Sequence, residues 1–154
     1  LQGHGFTAAA AVSLGALIGP SQVAGRFAEL AFGRWIHPLW STLAAAVLMA
    51  AGVAVLTFGI APAAFAIVTY AAGAGVSYIV RGTLPLIMFG PHGYATLMGR
   101  LALPSLAIQA LGPWFVALLF MRWGHDAVLA TLVLLTVSNL CVVLIMMVLR
   151  SRFS

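Results

Sequence analysis

The stretch AVLATLVLLTVSNLCVVLIMMVL, residues 127–149, carries no charge between Asp126 and Arg150. A helix rises about 1.5 Å per residue, so about 20 apolar residues cross a hydrocarbon core of about 30 Å. Charge is costly inside that core and gathers at its edges. The same spacing recurs toward the N-terminus. No charge lies between Arg100 and Arg122, and none between Arg34 and Arg81, a longer interval broken midway by Gly59-Ile60-Ala61-Pro62. This spacing predicts an all-α integral membrane protein with several crossings.

Five spans are expected, over residues 6–25, 39–58, 63–81, 97–121 and 127–149. Pro38 and Pro62 suit a first helical turn. Gly33, Gly59 and Gly124 suit helix exits. The stretch 82–96 holds Pro85 and Gly90-Pro91-His92-Gly93 and reads as a cytoplasmic interfacial loop with a short helical piece. Residues 1–154 thus form a single membrane domain whose first partner is the lipid bilayer.

Composition agrees. The chain is 64% hydrophobic and only 6% charged, with mean hydropathy +1.15, which excludes an ordinary soluble domain. All seven basic residues are arginines, and they stand singly between apolar stretches without a basic run. The net charge of +5 therefore reads as topology information and not as nucleic-acid affinity. Arg26, Arg34, Arg81, Arg100, Arg150 and Arg152 fall on one side of a five-span chain, and Arg122 on the other. Arginine bias makes the first side cytoplasmic, with the C-terminus inside. Trp35, Trp40 and Trp123 lie near span ends, where aromatic anchoring accounts for them. The lone Cys141 sits in an apolar run and has no partner for an internal disulfide. The chain begins at Leu1 and shows no basic region before its first apolar run, so no signal peptide is expected and a fragment of a longer protein is.

Helices in lipid meet through small residues. Gly15 and Gly19 form a GxxxG pair, Ala71 and Gly75 another with Gly73 between them, and Ala44, Ala45, Ala46, Ala50 and Ala51 line the second span. These faces are expected to pack on other helices, while the bulkier fifth span turns one side to lipid.

Gly19-Pro20-Ser21-Gln22-Val23-Ala24-Gly25-Arg26 closes a span on the cytoplasmic side. Arg81-Gly82-Thr83-Leu84-Pro85-Leu86 then precedes Phe89-Gly90-Pro91-His92-Gly93-Tyr94, Gly99-Arg100 and Pro104. This order resembles the eighth to twelfth helices of bacterial transporters of the major facilitator superfamily, and the resemblance covers essentially the whole chain. In the family's loop signature Gly25-Arg26 would be the Gly-Arg pair, with Gln22 at the Asp position, Val23 at the next Arg and Phe27 at the trailing basic residue. Gly99 and Gly112-Pro113 keep the interval of the family's antiporter motif, while Ile108 and Val116-Ala117 depart from it.

The resemblance implies an incomplete C-terminal bundle of five helices, partnered by a missing N-terminal bundle of the same polypeptide in a bacterial inner membrane. It implies secondary transport of a small organic molecule by alternating access, of efflux type. Substrate paths in such folds lie near the bilayer midplane. Ser13, Tyr70 and Gln109 fall at that depth. Tyr70, Gly73, Ser77 and Arg81 form one helical stripe, and Ser105, Gln109 and Gly112 another. These stripes face either a water-filled path or neighbouring helices through hydrogen bonds. Tyr70 with Trp114 forms either an aromatic wall or ordinary packing. Arg81 closes the cytoplasmic end, contacts an anionic substrate, or simply snorkels at the interface. Gln22, Gly25, Arg26, Glu29, Arg81 and Arg100 are the candidates for cytoplasmic loop or gating roles, with Arg34 able to join them. Pro104, Gly112 and Pro113 should bend the fourth span. Asn139, with Thr136 and Ser138, reads as a helix–helix hydrogen-bond site.

Neither acid, Glu29 nor Asp126, lies within a span, and His4, His37, His92 and His125 are also at edges. A proton-carrying residue would therefore belong to another part of the polypeptide. No nucleotide-binding loop, metal-spaced cluster or Ser/His/Asp set is visible, so no enzyme, cofactor or metal is expected. The competing reading is a complete small five-helix membrane protein that serves as a structural subunit or assembles into a pore.

Overall fold

The computed structural model describes residues 8–153, and they are helical almost throughout. The elements are α1 (Ala8–Ala16), α2 (Ile18–Phe32), a short 3-10 turn (Gly33–Trp35), α3 (Pro38–Phe58), α4 (Ala63–Phe89) and α5 (Tyr94–Phe153). Phe6, the expected start of the first span, and His4 lie outside the described residues. Among the described residues three helices are long and apolar enough to cross a membrane: α3, α4 and α5.

Helices α1 and α2 meet at Leu17, which keeps helical dihedrals (φ −71°, ψ −20°). Pro20 explains the step between them. It has no N–H to give the carbonyl of Ala16, and at the step the Leu17 N–H donates to Leu14 O at 3.2 Å. The expected exit near Gly25 is overturned, because α2 runs on through good helix formers to Phe32. Gly33 then caps it, its N–H donating to the carbonyl of Glu29.

Pro38 opens α3 and holds His37 extended (φ −65°, ψ 135°). The His37 ring caps the helix, its Nδ1 accepting from the Leu39 N–H at 3.2 Å. Gly59, left-handed at φ 63°, ends it. Thr42 and Thr57 bond back to carbonyls four residues earlier, at 2.7 and 2.8 Å, so their hydroxyls can sit among apolar neighbours. Pro62 caps α4 and stands just ahead of its first turn.

The largest departure from expectation is in α4. Its helix does not stop at Arg81, and the loop expected over 82–96 shrinks to the turn before Tyr94. Pro85 deprives only the Arg81 carbonyl of its usual donor, and the helix tolerates that loss. The Tyr94 hydroxyl, donating to the Gly82 carbonyl at 2.9 Å, ties this last stretch to α5.

Helix α5 is two arms, 94–123 and 125–153, meeting at Gly124 (φ 76°, ψ −165°). That backbone region is essentially reserved for glycine. Pro104 and Pro113 lie inside the first arm, and Gly124 is where the dihedrals leave the helical range.

Helix α4 is the centre of the assembly, with α2 on one side and α3 on another. On the α2 side the backbones touch. A Cβ on Gly25 would strike the carbonyl of Ala72, and one on Gly75 the carbonyl of Gln22. On the α3 side a Cβ on Gly73 would come within 2.8 Å of the Ala45 carbonyl. Ala45, Ala46, Ala66 and Ala71 are buried around this contact, so small residues set the helix spacing. In the second arm of α5, Leu129, Thr136 and Val143 are buried at seven-residue intervals, one stripe along the helix. Leu132 of that arm shares a hollow with Gly52, Val53 and Leu56 of α3. Among the described residues, the expected packing face at Gly15 and Gly19 is uncovered, with nothing beyond the chain neighbours and the helix's own backbone within 4 Å of a Cβ at either position.

The outer surface is strongly apolar. Leu103, Ile108, Met121 and Leu134 are each about two-thirds exposed or more (71, 72, 84 and 66%). Contiguous apolar surface on this scale needs lipid or further protein against it.

Candidate functional site

Residues four apart on a helix share a face. Ser77 and Arg81 do so on α4, and Ser105 and Gln109 on the first arm of α5. The turn after Phe89 folds that arm back beside α4, so the two pairs meet across a cleft of about 470 Å³. At its centre is Ser105 Oγ. It accepts from Gln109 Nε2 at 3.0 Å and from Arg81 Nη1 at a long 3.4 Å. Thr42 of α3 joins the wall, and Val80, Leu84, Met98, Leu101 and Leu106 make the rest of it apolar. A neighbouring hollow of about 350 Å³ shares Ser77, Arg81, Ser105 and Gln109 and adds Met49, Tyr70 and Tyr78.

The continuation of α4 changes the position of Arg81. It lies eight residues before the helix end at Phe89, about 12 Å along the axis. The side chain is therefore not at a helix tip. Tyr78 lies beneath two guanidinium groups, with Arg26 at 5.1 Å and Arg81 at 5.8 Å from the ring centroid. Arg26 Nε is buried and has no hydrogen-bond partner.

Of the residues expected along a path, Tyr70, Ser77 and Gln109 come together, with Arg81 among them. Gly73 is turned to α3. Trp114 is not beside Tyr70: it and Gly112 line a separate apolar cleft of about 330 Å³ between the two arms of α5. Ser13 belongs to α1 and lines none of these spaces. The gating candidates do not form one cluster. Gln22, Gly25, Arg26 and Glu29 are inside α2 and not in a loop. Gln22 and Gly25 serve the contact with α4, and the Glu29 carboxylate lies over Gly33. Arg34 stacks on Trp35 at 4.1 Å. Arg100 is exposed on the first arm of α5.

The sequence reading missed Tyr78 and Thr42 as site residues and gave Ser105 no central role. Tyr78 stands three residues before Arg81, a spacing that could have flagged a ring under the guanidinium. Thr42 left no signal, because its place depends on how α3 crosses α4. Among the described residues no three of His, Cys, Asp and Glu gather as metal ligands would.

No family model matches the sequence, and neither a curated protein nor a solved structure does.

Proposed function

We propose that this chain is the C-terminal part of a secondary transporter of the major facilitator type, and that the cleft between α4 and the first arm of α5 is part of its substrate path. In this reading there are five crossings: α1 with α2, then α3, α4 and the two arms of α5. The N-terminal bundle of the same polypeptide covers the exposed apolar face and completes the path. The molecule carried is small and organic, moved outward by alternating access across a bacterial inner membrane, with the C-terminus in the cytoplasm.

The observation that carries the reading is the convergence of Ser77, Arg81, Ser105 and Gln109 on one cleft between long apolar helices. A polar side chain at this depth needs a partner or water, and four of them facing each other make a wet lining. The cleft volume is in the range of small-molecule sites.

Cysteine labelling tests this. With the native Cys141 replaced by Ser, Gln109→Cys in membranes should react with a charged, membrane-impermeant maleimide. Leu103→Cys, on the exposed apolar side of the same arm, should not. A silent Gln109→Cys, or equal reaction at both positions, would remove the path assignment. The same reagent reads orientation through Ser151→Cys, which should label in inside-out vesicles and stay dark in intact cells.

A further inference from the structure

We infer that the cleft binds an organic anion: a carboxylate head on an apolar body of modest size. This deepens the transport reading and rests on it for the identity of the cleft as a path.

The hydrogen-bonding balance of the site supports an anion. A guanidinium carries five N–H donors, accepts nothing and stays charged. Arg81 directs one of them to Ser105 Oγ at 3.4 Å, near the limit of a useful bond. Gln109 directs its amide to the same oxygen. With both donors aimed at its oxygen, the Ser105 hydroxyl proton is left to donate outward. Donors outnumber acceptors, and a carboxylate is the planar acceptor that a guanidinium fork fits in two places at once.

The charge balance agrees. No carboxylate lines the cleft among the described residues. The chain's two acids are Glu29, over Gly33, and Asp126, beyond the break at Gly124. A second cation, Arg26, approaches the same Tyr78 ring, with its Nε buried and unpartnered. A cationic ligand would be repelled. A neutral one would forgo the charge-assisted, two-point pairing that the exposed Arg81 guanidinium offers a carboxylate. The apolar wall of Val80, Leu84, Met98, Leu101 and Leu106 then receives the body of the molecule.

The test uses three probes of nearly one shape: benzoate, benzamide and benzylammonium. Their binding to the full chain in dodecyl maltoside is measured by equilibrium dialysis, with protein-free micelles as the blank. Benzoate should bind saturably and at least about tenfold tighter than benzamide, with benzylammonium weakest. Arg81→Gln should abolish that preference, Arg81→Lys should keep part of it, and Arg122→Gln should leave it intact. Equal binding of benzoate and benzamide to the unmodified chain would overturn the inference, and so would a preference indifferent to Arg81→Gln in a variant of unchanged helicity. The probe comparison needs no variant, so a misfolded Arg81→Gln protein would not blunt it. Failure here with Gln109→Cys still labelled would leave a path without anion selectivity. A silent Gln109→Cys with Arg81-dependent benzoate binding would leave the anion site and remove the path.

Discussion

Gly75→Ala should loosen the contact between α2 and α4. Non-bonded atoms prefer a separation of roughly 3.5 Å, and the new methyl would fall well inside that distance from the Gln22 carbonyl. The obstacle is backbone, so no rotamer can relieve it, and the two helices must part. Overpacking of this kind costs about 1–3 kcal/mol. Against it stands the better helix propensity of alanine, about 0.5–1 kcal/mol. Midway through both ranges the steric term wins, leaving a net loss of about 1 kcal/mol, or roughly fivefold in the folded-to-unfolded ratio. The control is Gly15→Ala, whose surroundings among the described residues are open. It should be neutral or slightly stabilising, so the prediction is one of opposite sign. Titration of the protein from dodecyl maltoside into SDS, followed by far-UV circular dichroism, measures both. Gly75→Ala matching the unmodified chain, or Gly15→Ala losing as much, would refute the packing argument.

Two other outcomes follow from local geometry. Burial, assisted by the charge of Arg150, holds the His37 pKa below its ordinary 6.5, and the neutral ring caps α3 through Nδ1. Its contribution, about 0.5–2 kcal/mol for a cap, is therefore complete above that ordinary value and lost as pH falls through the lower folded value. His37→Asn keeps a capping oxygen and should remove this pH dependence between about pH 7.5 and about pH 5; an unchanged profile in the same SDS titration would contradict the cap. Gly124→Ala should cost about 1–3 kcal/mol in that titration, because φ 76° with ψ −165° is closed to a side chain. Alternatively the arms straighten, which spin labels at Leu103 and Leu144 would report as a changed distance; a variant altered in neither respect would refute the strain.

The long apolar helices were legible because lipid imposes a simple length rule. The expected 39–58 and 63–81 coincide closely with the start and end of α3 and the start of α4. The glycine expected between the last two spans is where α5 breaks. The rest depended on contacts that no periodicity encodes. Pro85 and Gly82 look like helix breakers, yet α4 continues through them and is tied to Tyr94, a residue of another helix. Gly15 and Gly19 fit a packing motif better than Gly25 does, but Gly25 makes the close contact. A small residue announces that a neighbour could approach, and only the assembled helices decide where it does. In the candidate site, the i, i+4 spacing identified Ser77 with Arg81 and Ser105 with Gln109. That the two pairs face each other required the reversal at Gly90-Pro91-His92-Gly93. Trp114, paired with Tyr70 as an aromatic wall, lines a separate cleft instead.

The first arm of α5 is a rod suspended between two swivels. Gly90 and Gly93 have positive φ at one end and Gly124 at the other, and between them the arm touches α4 only lightly. A roll of that arm about its long axis, like a crank in its bearings, would break no helical hydrogen bond but would have to release the contacts of α5 with α3. One residue's worth of roll, about 100°, would carry Ser105 and Gln109 out of line with Arg81 and present a greasier flank instead. The Tyr94–Gly82 bond is the catch that such a roll would have to slip.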